Sequence, residues 1–317
     1  MNTDLTCIID WLQFTIRGLS YEDVILKVLK LDPVEFLALP RGRYGYRSQY
    51  MFGNINVLCD GTEDMGVHVI ITGKGCRQYE TKRSLMKLID SINLYDGVCT
   101  RIDIAADDRT GDIIKFKRMV NSAKRGNVIS KWKTSTEILK RELKDGKIIG
   151  HTLSVGSRSS KIYLRIYDKA MEQRVAGPWY RIELEIKDDR AEILQTILLF
   201  ETGVGRVISG ILNQYIRFVI PSNDTNKSRW KTAPWWKRLV ASMDKLQLTK
   251  KPQEKSIEEV REWVKKQIGP TLAMLMIYDE GDTTQLFQTI NSGKHRLKEK
   301  HMQIIQKGRM EQEKHNR

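Results

Sequence analysis

A chain of 317 residues that is 40% hydrophobic and 29% charged has the composition of an ordinary folded protein, which excludes a disordered or fibrous one. Its 54 Lys and Arg against 39 Asp and Glu leave a formal charge of +15, an excess that favours a polyanionic partner because each neutralised phosphate releases condensed counterions. No apolar run approaches the roughly 18 residues of a membrane span and the first ten residues carry no signal-peptide pattern, so a cytoplasmic protein with no membrane partner is expected.

In chain order, residues 6–16 (TCIIDWLQFTI) are β-branched and aromatic and predict a strand. Residues 20–31 carry Val24, Ile25, Val28 and Leu29 at helical spacing behind Ser20. Residues 42–61 predict short strands with glycine turns. Residues 68–72 (HVIIT) form another strand, closed by Gly73, Lys74 and Gly75, and a short helix follows over 83–92. The cysteines at 7, 59, 76 and 99 form no CxxC pair and read as reduced thiols rather than zinc ligands.

Residues 98–105 (VCTRIDIA) predict a strand with Arg101, Asp103 and Ala105 on one face and Ile102 and Ile104 on the other. A helix is expected over 111–124, and a polar helix or mobile loop over 126–150. Strands follow at 161–169 (KIYLRIYDK) and 180–187 (YRIELEIK), then a helix over 190–201. The stretch 221–228 (PSNDTNKS) reads as a linker dividing the chain into residues 1–227 and a helical, basic region over 228–317. From Arg229 onward nineteen Lys and Arg face eleven Asp and Glu, a surplus of eight. In that region Ser256 and Glu259 suggest a capping box, Ile257, Val260, Trp263, Val264 and Ile268 one apolar face, and Gly269–Pro270 a helix stop. The stretch from Lys294 is expected to fray.

Phosphate-loop, dinucleotide and nucleophile-elbow motifs are absent, and the five histidines show no metal-ligand spacing. What remains is a mixed constellation on three strands. By alternation Lys161, Tyr163, Arg165, Tyr167 and Lys169 share one face, as do Arg181, Glu183, Glu185 and Lys187, with Arg101 and Asp103 on a third. A solvated sheet face laced with cross-strand ion pairs would explain this pattern. So would a site for DNA cleavage, in which a tyrosine attacks, carboxylates hold a hard cation and guanidiniums neutralise phosphate oxygens.

The runs 100–107 (TRIDIAAD), 157–169 (SRSSKIYLRIYDK) and 181–189 (RIELEIKDD), in that order, resemble the rolling-circle replication initiation factors of the Rep_trans type. This family serves plasmids and phages and includes relaxases of conjugative elements. Residues 10–14 (DWLQF), 66–80 and 229–236 (RWKTAPWW) are similar to further segments of the same group. The resemblance implies an α+β domain with a mixed, largely antiparallel sheet and flanking helices. It implies Tyr167 as the catalytic nucleophile, with Tyr163 the neighbouring competitor, and Asp103, Glu183 and Glu185 as ligands of Mg²⁺ or Mn²⁺. Several relatives carry a glutamate where this chain has Ile70, which leaves the ligand set open, with His68 a further candidate. Arg101, Arg158, Lys161, Arg165, Lys169, Arg181 and Lys187 are the expected DNA contacts.

The activity implied is nicking and religation of one strand at a double-strand origin or transfer origin, through a 5′-phosphotyrosyl link. A host superfamily-one helicase is the implied protein partner, alongside a homodimer. Some conjugative relatives carry an N-terminal helix-turn-helix domain, so an equivalent DNA-reading function is expected here after residue 228. Two rivals stay open from the residues alone: a sequence-specific DNA-binding regulator without chemistry, and a metal-dependent nuclease in which water attacks.

Overall fold

A computed structural model describes residues 5–200, 203–245, 257–295, 297 and 299–315, in two compact units, Met1–Thr249 and Lys250–Arg317. The first unit is built on β1 (Leu5–Ile16), β2 (Leu37–Leu39), β3 (Ser48–Phe52), β4 (Ile55–Cys59), β5 (Val67–Ile71), β6 (Val98–Asp108), β7 (Val128–Ser130), β8 (Ser135–Arg141), β9 (Ile148–Val155), β10 (Ile162–Asp168), β11 (Tyr180–Lys187) and β12 (Ile216–Phe218). Ten of these form one sheet in the order β2-β3-β4-β5-β1-β6-β11-β10-β9-β8, while β12 and β7 pair separately. Every pairing among the described strands is antiparallel.

The helices of this unit are α1 (Tyr21–Asp23, continued as a wider-turned segment over Val24–Leu29), α2 (Gly73–Glu80), α3 (Leu85–Leu94), α4 (Phe116–Lys124), α5 (Lys169–Gln173), α6 (Asp189–Phe200), α7 (Val204–Tyr215) and α8 (Pro234–Lys245). Leu88 and Ile92 of α3, Leu194 and Leu198 of α6 and Ile208 and Leu212 of α7 are buried in one apolar cluster with Leu12, Phe14, Ile102, Ile104, Leu184 and Ile186 of the central strands. That cluster takes every second residue of the central strands, so the alternate residues, which include Asp103, Glu183 and Glu185, are left to the opposite face.

Two irregularities decide which side chains reach that opposite face. Ile9 and Leu12 both lie in the apolar cluster although an odd step separates them. The register of β1 on β6 shifts between Ile9 and Trp11, so Asp10 is an inserted residue and it and Trp11 both escape the core. A second shift, between Gln13/Arg101 and Phe14/Cys99, does the same for Thr100 on β6. Each of the two central strands thereby gains one extra residue on its polar side.

Several sequence expectations are corrected. Residues 126–150, expected as a helix or loop, hold β7, β8 and the start of β9. Their β-branched residues at 128, 129, 136 and 138 suit a pleated edge, where the charges of Lys140 and Arg141 also discourage further pairing. Gly73–Gly75 does not merely close a strand but opens α2, with the Thr72 hydroxyl accepting from the Gly75 N–H. Residues 221–228 do not divide the chain, because α8 beyond them belongs to the first unit and the division falls at Thr249/Lys250. Trp236, Leu239, Val240 and Met243 of α8 are buried in the main core, where Trp236 lies 4.8 Å from the Phe218 ring.

This packing changes where the chain can be cut. Ending it at Asn226 removes α8 and uncovers core, so that product is expected to lose cooperative unfolding, whereas one ending at Thr249 keeps it. Trp236→Ala should cost about 3–5 kcal/mol by the cavity it leaves. Thermal melts followed by circular dichroism check both.

The second unit contains α9 (Ile257–Trp263, continued by a wider-turned segment over Val264–Ile268), α10 (Gly269–Tyr278), α11 (Thr284–Lys294) and α12 (Glu299–His315). Gly269–Pro270 is not a stop but the first turn of α10, where proline's missing N–H costs nothing. The stretch from Lys294, expected to fray, carries the 17-residue α12, which packs on α9 with Gly308 against Ile257. The proposed capping serine, Ser256, lies outside the described residues.

Candidate active site

The polar face of the central strands is a layered constellation. Register places Tyr167 opposite Arg181 and Arg181 opposite Asp107; Arg165 opposite Glu183; and Tyr163 opposite Glu185, itself opposite Asp103. The shared faces expected from alternation are therefore the observed ones. They are not a solvated face, since Tyr167, Asp103, Glu183, Arg181 and Asp107 are all buried. Buried ions persist only when paired, and here each has a partner.

Tyr167 donates its phenol proton to Glu183 Oε2 at 2.7 Å, and Lys169 Nζ lies 3.4 Å from the same phenol oxygen. Arg165 grips the other oxygen of Glu183. Burial, then the Glu183 charge, push the Tyr167 pKa well above that of a free phenol, so the proton stays on the tyrosine until something accepts it. Arg101 holds Asp103 bidentately at 2.8 and 2.6 Å and reaches Glu185 at 2.9 Å, while its guanidinium lies 4.7 Å from the Trp11 ring centroid. Lys187 also pairs with Glu185, at 3.0 Å. Burial outweighs the Arg101 bonds at Asp103, and with Glu183 and Glu185 nearby its carboxyl is pushed up to about 7.

Arg181 lies beside Tyr167, its partner across the β10–β11 pairing. It grips Asp107 bidentately at 2.8 and 2.6 Å, reaches Asp10 across β6, and shares Asp107 with the Trp179 indole N–H at 2.7 Å. Burial raises the Asp10 pKa against the pull of Arg181, and Glu183 adds to the rise. Asp10, Asp107 and Trp179 are members of the constellation that sequence reasoning missed. Alternation along β6 continues from Asp103 through Ala105 to Asp107, so Asp107 was within reach. Asp10 depends on the bulge, whose one trace in the sequence is the odd spacing of apolar Ile9 and Leu12.

The other sequence candidates fall at the margins. Lys161 pairs with Asp189 at 2.9 Å at the far end of β10, and Arg158, on the loop before it, offers its carbonyl to Lys187. His68 bonds Thr15 at 2.9 Å through Nδ1, and burial lowers its pKa to about 4, so it stays neutral. Ile70 lies on the polar side, opposite Gln13, in a small apolar cluster with Tyr46 and Leu58 against which Trp11 packs. An acid there would be buried among apolar groups, so this strand supplies no carboxylate beside Asp103.

Among the described residues no three His, Cys, Asp or Glu side chains converge as a preformed metal cage. The hard carboxylates of Asp103, Glu183 and Glu185 are turned to Arg101, Arg165 and Lys187. Beside them a cavity of about 340 Å³ is lined by Arg101, Lys187, Thr100, Gln13, Tyr44, His68 and the acidic Asp188. The buried side-chain atoms lacking a hydrogen-bond partner include Thr100 Oγ1, Trp11 Nε1 and Arg165 Nε, all from this face.

Sheet and constellation together define a class. Residues 97–290 match the family model described as Replication initiation factor (Rep_trans), and residues 6–88 match that of the Rolling Circle replication initiation protein N-terminal domain. The chain belongs to the replication initiation factor family, within the rolling-circle initiators and relaxases. A protein of Bacillus subtilis (strain 168), provisionally named as the DNA relaxase NicK, is 28% identical over 294 residues, which are 88% of this chain and 83% of the relative. The solved rolling circle replication initiator protein from Geobacillus stearothermophilus matches with a TM-score of 0.73 and 31% identity, over 78% of this chain and 100% of that one.

Proposed function

We propose that this protein nicks and reseals one strand of DNA at a replication or transfer origin, with Tyr167 as the nucleophile. The observation that carries this reading is the Tyr167–Glu183 hydrogen bond of 2.7 Å on a face crowded with guanidiniums. Glu183 would take the phenol proton through that bond as the Tyr167 oxygen attacks phosphorus. The bond from phosphorus to O3′ breaks, the 3′ oxygen leaves with a proton from solvent, and the 5′ side stays on the tyrosine as a phosphodiester. Attack by a 3′-hydroxyl on that ester, with the proton returned from Glu183 to Tyr167, reverses the step and closes the strand. Arg165 and Lys169 flank the phenol and supply positive charge for the crowded phosphate oxygens. The cavity beside Arg101 and Lys187 would receive the unpaired strand next to the cut. A host superfamily-one helicase and a second copy of the chain are the proposed protein partners.

Asp103, Glu183 and Glu185 would hold Mg²⁺ or Mn²⁺. The fit lies in the donor set: hard oxygens on adjacent strands, with burial first and then the Glu183 and Glu185 charges opposing ionisation of Asp103, a cost that a cation would offset. When bound, the cation would polarise the scissile phosphate and offset charge on the departing oxygen.

Cleavage of a single-stranded origin oligonucleotide should stop in excess EDTA and return with Mg²⁺ or Mn²⁺. Asp103→Asn and Glu183→Gln should each lower the rate by at least about 10²-fold. Glu185→Gln should do less, since Glu185 also serves the Arg101 and Lys187 ion pairs. Full activity in EDTA would remove the cation from this account, and no cleavage under any condition would remove the nicking function.

A further inference from the structure

The segment RWKTAPWW, residues 229–236, has no part in the face around Tyr167. Its first purpose is packing: Trp236 is 1% exposed and its ring meets Phe218 at 4.8 Å. Yet the Trp236 indole N–H is a buried donor with no acceptor. An orphaned donor of this kind costs about 1–3 kcal/mol unless something accepts from it.

Trp236 lines a cavity of about 380 Å³ between α7, α8 and β12, on the helix-covered side of the sheet. The polar groups around it are the Arg217 guanidinium, the Lys237 ammonium, the Asn213 amide and the hydroxyls of Ser209 and Thr232, with no carboxylate. Arg217 is fixed by bonds to the Trp230 carbonyl at 3.0 Å, the Thr232 hydroxyl at 3.2 Å and the Ser228 carbonyl, and all three acceptors are neutral, so they leave its charge uncompensated. Lys237, exposed in the first turn of α8, has no carboxylate partner among the described residues. Two cations, a helix N-terminal turn and a buried unpaired donor around one hollow select an anion with several acceptor oxygens.

We propose that this cavity is a second DNA-contact site, taking a backbone phosphate of the duplex on the side of the sheet away from Tyr167. The proposal rests on DNA being the substrate, as in the preceding subsection, but not on any chemistry at Tyr167. It gives the duplex a grip separate from the cut strand, and assigns it to α7 and α8 rather than to the region after residue 250.

The test uses the full chain and nitrogen-15 spectra of its seven tryptophan indoles, the Trp236 signal being the one lost in Trp236→Phe. Should that variant not fold, the signal is identified as the one displaced by Asn213→Asp, which puts a carboxylate into the cavity. A duplex origin oligonucleotide should move the Trp236 indole signal. Lys237→Gln and Asn213→Asp should each weaken duplex binding about three- to fivefold near 0.1 M salt, and Lys237→Gln should make the log–log salt slope shallower by about one. A Trp236 signal indifferent to duplex, with affinity and slope unchanged in both variants, overturns the proposal. Movement with inorganic phosphate alone, and none with duplex, overturns it too by making the cavity a site for free phosphate. If the duplex moves the signal and no covalent adduct ever forms, the nicking reading fails while this site stands.

Discussion

Tyr167→Phe should fold and should not cut. The substitution removes one oxygen from a buried ring, and Glu183 keeps its Arg165 partner, so the stability cost is confined to one hydrogen bond, about 1–2 kcal/mol. Loss of a nucleophile, in contrast, removes the covalent route altogether, and a rate decrease of roughly 10⁴-fold or more is expected. Tyr163→Phe is the matched control. Tyr163 sits on the same face and is also buried, but it lies opposite Glu185, and that carboxylate is occupied by Arg101 and Lys187. It should cut at close to the parent rate. Rates measured on a single-stranded oligonucleotide decide the matter, and the reverse pattern would transfer the nucleophile to Tyr163.

A stability effect as large as that of Trp236→Ala is expected at Arg181. Arg181→Met leaves Asp107 and Asp10 facing each other across the place of a cation that served both, in a setting where Arg181 itself is 4% exposed. Removing one partner from such a buried network costs about 3–5 kcal/mol, because the orphaned charges keep their desolvation penalty. In a unit of this size that corresponds to a fall of roughly 10 °C in melting temperature. Adding Asp107→Asn to Arg181→Met should recover part of the loss, since one stranded charge is removed. A melting temperature unchanged in Arg181→Met would mean that the network is open to water and contributes little.

Much of the site was legible because a β-strand has a two-residue period. Alternation alone grouped Tyr163, Arg165 and Tyr167, then Arg181, Glu183 and Glu185, and the observed register brings those groups together. What alternation cannot see is an inserted residue. The bulge at Asp10 sends an acid to Arg181 from a strand whose pattern otherwise reads as continuous, and the one at Thr100 is equally silent. Composition also misled at 221–228, where Ser, Asn, Asp and Pro look like a tether. There Asn226 and Asp224 use their side chains to close tight turns on Ser228 and Asn226, and the chain returns to lay α8 on the core. The hairpin of β8 and β9 was obscured because an edge strand with few buried residues lacks the apolar alternation that marks a half-buried one.

A tyrosine of this chain, and not water, is proposed to attack the DNA phosphate. Incubating the protein with a 3′-end-labelled single-stranded origin oligonucleotide and Mn²⁺, then denaturing in SDS, separates the two routes. A labelled band is expected at the mass of protein plus the 5′-phosphorylated fragment. After proteolysis, the nucleotide mass should sit on the peptide that carries Tyr167, and the released fragment should end in a 3′-hydroxyl. Cleavage that proceeds with no adduct at any time point, leaving a free 5′-phosphate, would contradict it and make the protein a hydrolytic nuclease.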